Sequence, residues 1–233
     1  MYCIITIVRY KKSTAIFGFL SMAVFRWSLS KNKRIHFYKL MGCGKNGTFD
    51  IRPDLRQWAV LTTINHPFIE IKDLYGKFIT KWWKRFDCEL FTMVLQPTEG
   101  HGFWDGKKPF GDLLRHSNEE GLTVVLTRAT IRLNKLKEFW QNVQTAAAPL
   151  QKAKGFIMSV GIGEVPWIKQ ATLSVWQNKH LMKQYAYGMK QHTTVISKTR
   201  KEKWYSEELF VRFKVLRSCG TINGINPLEH YLS

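Results

Sequence analysis

One histidine of the chain lies on an otherwise apolar helical stripe, which makes it the first residue to consider for chemistry. Leu181, Tyr185, Met189, His192 and Ile196 recur at spacings of four, four, three and four residues, which is the pattern of one helix face. An imidazole that faces inward must either be hydrogen-bonded in the core or bind a ligand. The residues alone leave both interpretations open.

A second concentration of reactive side chains lies in the segment GHGFWDGKKPF, residues 100–110. It combines glycine and aromatic rings with the polar groups of His101 and Asp105, and loops of this composition often cover a site. His101, Trp104 and Asp105 are therefore candidate catalytic residues. The alternative is a structural loop that Trp104 and Phe110 hold in place by packing.

The charge balance restricts the partners of the protein. The chain has 36 Lys and Arg against 17 Asp and Glu, which gives a formal net charge of +19. Such a charge suits nucleic acid, an anionic membrane surface or an acidic protein. The cations are scattered and accompany no nucleic-acid-binding motif, so we expect no nucleic acid. An acidic electron donor or lipid headgroups remain, beside the simpler alternative of an evenly basic surface.

Cysteine usage and the first apolar run indicate where the protein works. The four cysteines lie far apart without a CxxC pair, which suggests neither a zinc site nor a disulfide framework and favours a reducing cytoplasm. The run from Ala15 to Phe25 has the length of a signal-peptide core but lacks a small-residue cleavage site. It is also too short to span a bilayer. We therefore predict an internal core helix.

The order of elements predicts two similar halves. Residues 1–98 alternate as strand, helix, strand, strand, helix, strand, and residues 122–216 repeat this order. Local text repeats as well, as in ELFTMVLQP and ELFVRFKVL. Each half has the ferredoxin-like βαββαβ order, which leaves one apolar sheet face uncovered. We predict an α+β fold, a dimeric-α/β-barrel-like single chain, with residues 99–121 as an active-site loop and residues 217–233 as a tail.

Five motifs are distributed along the chain: KLMGCGK, HGFWDGKKPF, LTRATIR, IGEVPWIKQATLSVW and YAYG…H…WYSEELF. Together they resemble the spheroidene monooxygenase family of carotenoid-oxidising enzymes. The resemblance implies a haem-containing, oxygen-dependent monooxygenase that receives electrons from a ferredoxin. It also implies an acyclic carotenoid as substrate, with hydroxyl and then keto groups introduced at its end.

The resemblance also assigns roles to particular residues. Haem iron needs an axial ligand, and His192 is the expected iron ligand, with His101 as the second choice. Arg128 and Arg132 are expected to pair with the haem propionates, because guanidinium groups match carboxylates.

Further residues are expected around the cofactor and the substrate. Tyr185 and Met189 share the helix face of His192 and are expected to contact the haem. His101, Trp104 and Asp105 are expected to serve catalysis. An apolar substrate needs a groove that excludes water, and its expected walls are Phe103, Trp104, Trp167, Trp176, Tyr185 and Trp204.

Two other functions compete with the oxygenase. One is a non-catalytic ferredoxin-like barrel that binds a small apolar ligand or a partner, with His192 hydrogen-bonded in the core. The other is a cofactor-independent or dehydratase-type enzyme of the same barrel architecture. For the oxygenase we expect a cytoplasmic protein with peripheral contact to the inner face of the membrane, because its substrate must be drawn from lipid.

Overall fold

The chain folds into two consecutive halves, each with four strands and two helices among the residues described. A computed structural model describes residues 1–45, 47, 52–67, 70–147 (with the backbone alone at 143–147), 150–188, 198–199 and 201–232. The first half consists of β1 (Tyr2–Arg9), α1 (Ala15–Lys31), β2 (Phe37–Gly44), β3 (Pro53–Ile64), α2 (Ile71–Arg85) and β4 (Glu89–Gly102). The second consists of β5 (Thr123–Ile131), α3 (Leu136–Ala147), β6 (Phe156–Val165), β7 (Lys169–Trp176), α4 (Lys179–Gly188) and β8 (Tyr205–Gly220).

The eight strands close into one antiparallel barrel. Their order around it is β1-β3-β2-β6-β7-β5-β8-β4, and β4 pairs with β1 to complete the circle. Each half therefore contributes a sheet of the same order, β2-β3-β1-β4 or β6-β7-β5-β8. The predicted α+β fold, with two tandem ferredoxin-like halves forming a barrel, is confirmed.

The two joins between the halves are unequal. β4 and β8 pair along most of their length, from Phe91 with Gly220 to Gly102 with Leu209. Among the described residues, β2 and β6 pair only at Gly42 with Gly163 and at Cys43 with Ile162. Over the part of the chain that the structure describes, the barrel thus has one long join and one short join.

Alternation along the strands separates an inner core from the helix-facing surface. Successive side chains of a strand point to opposite faces, and in β1 Ile5 and Ile7 point into the barrel while Ile4 and Val8 face α1 and α2. The inner side chains of both halves form a single buried cluster. Because this cluster packs across the barrel, its centre is a core, and a ligand site belongs elsewhere.

Some element boundaries differ from the sequence-based expectation. The predicted loop at 100–110 begins as strand, because β4 stays paired with β8 as far as Gly102. The predicted core helix is α1, but only one of its faces packs on the sheet; Phe19 and Trp27 on the other face are exposed. Within the described ranges, no helix combines the length and the apolar character needed to cross a bilayer.

Candidate functional site

The helix-facing side of the second sheet carries small and polar residues where a core would have large apolar ones. A row of directly paired residues crosses five strands there: Gly161 on β6 pairs with Thr172 on β7, Thr172 with Thr127 on β5, Thr127 with Phe210 on β8, and Phe210 with His101 on β4. We call these five residues the small-residue row, after its three small members Gly161, Thr172 and Thr127. Leu126, Leu173 and Leu209, each next to a member of the row, point into the barrel instead.

The middle of the small-residue row is not covered by packing. Thr127 is exposed although it lies at the centre of a central strand. Thr172 is half-buried, and its Oγ1 has no hydrogen-bond partner in the structure. Gly161 adds no side chain and is buried. Within this row the sheet is therefore open to solvent at Thr127, next to the half-buried Thr172, and we call this place the open stretch.

Two separate apolar clusters border this open stretch. On one side, Phe139 and Trp140 of α3 pack against Ile131 and Trp204. On the other side, α4 packs on the sheet through a cluster that comprises Val125, Trp176, Met182, Tyr185, Ala186 and Phe210. α3 and α4 are thus attached to the sheet at different places, and Thr127 lies between the two attachments.

α4 is the helix that leads to the predicted iron ligand. Asn178 caps its start, because Asn178 Oδ1 accepts the backbone N–H of Leu181 at 2.9 Å. The Tyr185 ring lies 5.2 Å from that of Trp176, and burial raises the pKa of Tyr185. α4 ends at Gly188; Met189 and His192 lie outside the described residues, so their predicted roles stay predictions.

A buried ion cluster fixes the start of α4 to the sheet. Glu99 and Arg212 face each other across β4 and β8 and form an ion pair, with 1% and 7% of their side chains exposed. Lys179 of α4 binds the same carboxylate, and so does the backbone N–H of Ser117. Burial lowers the pKa of Arg212. A lost partner would leave a buried charge uncompensated, so this cluster positions α4.

A second ion cluster closes one end of the barrel and contains two predicted catalytic residues. Asp105 forms ion pairs with Lys39, Lys169 and Arg128. Trp104 is fully buried, and its Nε1 donates to Glu164 Oε1 at 2.7 Å. We call this group the barrel-end cluster; its cations are Lys39, Arg128 and Lys169, and its carboxylates are Asp105, Glu164 and Glu207.

Equal numbers of opposite charges hold the barrel-end cluster together. Burial raises the pKa of Asp105, but hydrogen bonds from Lys169 and Lys39 outweigh it and hold the value at about 2. Glu207 accepts the backbone N–H groups of Asp105 and Gly106 at 2.8 and 2.7 Å, and its pKa is lowered although burial opposes this. The turn after β4 is therefore tied to β8, and Asp105 is ionised at neutral pH.

The predicted catalytic residues lie on two sides of the sheet. Trp104 and Asp105 belong to the inner face and the barrel end. His101 lies on β4 rather than in a loop, and its ring stacks on Phe210 at 5.7 Å, on the helix-facing side. The pairing of β4 with β8 causes this separation, because it continues past His101. His101 therefore borders the open stretch, whereas Asp105 does not.

The two predicted propionate partners also differ in their surroundings. Arg128 has 1% of its side chain exposed, points to the inner face and binds Asp105, Glu164 and Glu207. Arg132 is exposed and lines a groove of about 600 Å³ at the same end of the barrel. Thr130, Ile131, Leu133, Asn134, Ile168 and Ser206 complete this groove. Arg128 is occupied by carboxylates of its own chain, and Arg132 faces solvent.

The expected substrate walls are divided between core and surface. Trp104, Trp176 and Trp204 are fully buried, whereas Phe103 and Trp167 are exposed. No group of three His, Cys, Asp or Glu that could hold a metal ion occurs in the part of the chain described.

Sequence reasoning missed most members of both ion clusters. Lys39 and Glu164 contact each other although they are 125 positions apart, and Glu99 lies 113 positions from Arg212. A signal was present, because charged residues such as Arg212 interrupt otherwise apolar strands. The partners themselves could be named only once the strands were paired.

The closed barrel of two βαββαβ halves defines the class of the molecule, a single-chain α+β barrel of the dimeric type. A solved aldoxime dehydratase in complex with butyraldoxime has the same fold, with a TM-score of 0.62 at 7% identity over 92% of this chain and 79% of that chain. No family model matches the chain. The fold thus gives the architecture, and sequence relatives must give the family.

The relatives identify that family. A spheroidene monooxygenase of Rhodobacter capsulatus is 31% identical over 219 residues, which are 89% of this chain and 86% of the relative. A second, from Cereibacter sphaeroides, is 30% identical over 198 residues, 84% of this chain but 61% of the longer relative. The chain belongs to the spheroidene monooxygenase family. Its membership supports an oxygenase activity, and the family resemblance inferred from the sequence motifs is confirmed.

Proposed function

We propose that the protein is an oxygen-dependent haem monooxygenase that hydroxylates, and then converts to a ketone, the end of an acyclic carotenoid. The relatives supply the class of reaction and, through their name, the class of substrate. The observation that carries the proposal for this chain is the open stretch at Thr127 and Thr172, beside Gly161, which has no side chain. A flat group lying against these strands would meet no large side chain at the three positions.

The residues of this stretch fit a porphyrin. A planar macrocycle needs a surface without large side chains, and Gly161, Thr172 and Thr127 provide it in adjacent strands. The Oγ1 of Thr172 is a buried hydrogen-bonding group without a partner, which costs free energy unless a bound ligand supplies one. Phe210 and Tyr185 supply aromatic surface at the edge of the stretch.

The proposed iron ligand comes from the family resemblance. His192 lies four positions beyond Gly188 in the sequence and remains that ligand. His101, stacked on Phe210, lies at the β4 end of the small-residue row. Arg132 is the better placed of the two arginines for a propionate, because Arg128 already binds three carboxylates. Arg128 and Asp105 instead position the turn that closes the barrel end.

When bound, haem supplies the redox chemistry by which O₂, two electrons and two protons convert a C–H bond into an alcohol and release one water. A second hydroxylation at the same carbon gives a gem-diol, which loses water to form a ketone. The chain must exclude bulk water from this region and hold the substrate end. The apolar clusters around Trp140 and Trp176 border the region on two sides.

Electrons are proposed to come from a ferredoxin. An acidic donor would be drawn to a chain of net charge +19, because long-range attraction between opposite charges accelerates encounter. This part of the proposal predicts that the rate of electron delivery falls as ionic strength rises.

The test is reconstitution of the purified full chain with haemin, followed by absorption spectroscopy. We expect a Soret band that His192→Ala abolishes without unfolding the protein, as checked by circular dichroism, and that His101→Ala retains. A chain that takes up no haemin would overturn the haem assignment. The same band retained in His192→Ala but lost in His101→Ala would move the ligand to β4.

Turnover decides the reaction. Pigment analysis of a carotenoid-producing host that expresses the chain should show hydroxylated or keto products that require O₂ and a reductant. Product formed without either would favour a dehydratase-type or cofactor-independent enzyme. Absence of both haem and product would favour a non-catalytic barrel.

A further inference from the structure

α1 presents an apolar surface to solvent on the side that faces away from the barrel. Five large side chains on this side are between 39% and 65% exposed: Ile16, Phe19, Leu20, Val24 and Trp27. Their spacing follows one face of the helix over three turns. We call these five residues the α1 stripe.

Packing within the fold does not account for the α1 stripe. The opposite face of α1, with Gly18, Ser21, Phe25 and Leu29, is the one that is buried on the sheet. The helix is therefore apolar on both faces, which is the pattern of a helix with a second apolar neighbour. Scattered apolar residues on a surface are ordinary, but a continuous stripe of this kind marks an interaction site.

The surroundings of the α1 stripe are strongly basic. α1 contains no acidic residue, and its cations Arg26 and Lys31 are both exposed. Lys31 Nζ lies 4.1 Å from the centre of the Trp27 ring. The neighbouring helix α2 has one exposed acidic residue, Asp73, and five exposed cations: Lys72, Lys77, Lys81, Lys84 and Arg85.

We propose that the α1 stripe and the cations of α2 dock on an anionic lipid surface, with α1 lying in the plane of the headgroups. An anionic bilayer can bind the apolar stripe and the cations at once, because its acyl chains accept the apolar side chains and its headgroups attract the positive charges. Trp27 beside Lys31 suits the boundary between them, where aromatic rings and long cations are both stable.

A second copy of the chain fits this surface less well. A symmetric dimer across α1 would bring the cations of both α2 helices together, and like charges across an interface are repulsive. An acidic protein would satisfy the charges, but it would have to supply an apolar groove for Phe19 and Trp27 as well. The lipid surface therefore remains the occupant that the charge and the apolar area favour together.

The test is co-sedimentation of the full-length protein with vesicles, either pure phosphatidylcholine or phosphatidylcholine with phosphatidylglycerol. We expect binding to the anionic vesicles to fall about tenfold or more in the double variant Phe19→Gln, Trp27→Gln, because apolar burial supplies part of the affinity. The charge variant Lys77→Glu, Lys81→Glu should lose about tenfold or more on anionic vesicles, because each cation near the surface contributes. Leu114→Gln, which changes an exposed leucine between β4 and β5, is the control and should bind as the parent does.

Three outcomes would overturn the proposal. They are equal binding of the parent and the double variant to anionic vesicles, no binding of the parent to them, or a parent dimer in sedimentation velocity that the double variant abolishes. Each variant is first checked by circular dichroism for an unchanged fold. The vesicles contain no carotenoid and no haem, so the result is independent of the proposed function. Haemin binding should be the same in the double variant and the parent, because α1 belongs to the first half.

Discussion

The two halves of the molecule share one topology but differ on their helix-facing sides. In the first half, the middle of the central strand is Thr6, which is fully buried and hydrogen-bonded to Tyr75 of α2 at 2.9 Å and to Thr92 at 2.8 Å. In the second half, Thr127 lies in the middle of the corresponding strand and is exposed. A threonine is therefore part of a closed core between sheet and helices in the first half, whereas the corresponding threonine of the second half is open to solvent.

The neighbouring strands extend this difference. The helix-facing residues of the first sheet include Trp58, Val60 and Leu40, which fill the space under α1 and α2. With Thr6 matched to Thr127, their counterparts in the second sheet are Gln170 for Trp58, Thr172 for Val60 and Gly161 for Leu40. A repeated fold thus allows one copy to provide stability while the other keeps room for a ligand, and function must be assigned to the site rather than to the fold.

The largest difference in stability is expected between two single variants, Thr6→Trp and Thr127→Trp. Thr6→Trp forces a large ring into a filled core and breaks two hydrogen bonds, so we expect a loss of about 3 kcal/mol or more in the free energy of unfolding. Thr127→Trp should cost less than about 1 kcal/mol, because the added ring enters open space. Denaturant titration measures both. Equal losses would show that the second half is as closed as the first.

Thr127→Trp also tests the use of that space. The ring would occupy the position proposed for haem, and we expect binding of haemin to weaken about tenfold or more. Thr127→Ser is the matched control and should bind as the parent does. Absorption titration with haemin measures the difference, and unchanged binding in Thr127→Trp would separate the open stretch from the cofactor.

A smaller contrast is expected from replacing threonine by valine. Thr6→Val removes the shared partner of Tyr75 and Thr92, which should cost about 1–3 kcal/mol because buried polar groups lose their bonds. Thr172→Val removes an Oγ1 that has no partner, and its effect on the free energy of unfolding should be about zero or slightly stabilising. Thermal and denaturant unfolding distinguish the two. A large loss in Thr172→Val would reveal a partner for that hydroxyl.

The smallest effect concerns pH and the barrel-end cluster. The pKa of Asp105, about 2, lies below its ordinary value of 3.8. The ionised carboxylate therefore stabilises the fold above about pH 4, and this contribution is lost as the pH falls towards about 2. The difference in thermal midpoint between the parent and Asp105→Asn should shrink over that interval.

Asp87→Asn provides the matched control for that prediction. Asp87 also has a left-handed backbone, with φ of 47° beside 51° for Asp105, a conformation that asparagine tolerates well. Its ion pair with Lys11 is exposed, so its effect at any pH should be smaller. A pH dependence as large as that of Asp105→Asn would mean that the barrel-end cluster adds nothing beyond a surface ion pair.

Local patterns were sufficient to predict the fold. The strand and helix periods predict the repeated order of elements that the structure shows. The open stretch could not be predicted, because Gly161, Thr172 and Thr127 become neighbours only when the strand register is known. The exposed face of α1 could not be predicted either, because a helix with apolar residues on both faces is typical of a buried helix.

The two joins between the halves differ in a way that bears on motion. Where β2 meets β6, two glycines, Gly42 and Gly163, are paired, and only one further residue pair joins these strands within the described ranges. In contrast, β4 and β8 stay paired over many residues. The pairing of β4 with β8 is therefore the stronger connection between the halves, and the pairing of β2 with β6 is the weaker one. Thermal fluctuations should separate β2 from β6 first. The two halves would then rotate about the β4–β8 pairing while each four-stranded sheet stays intact.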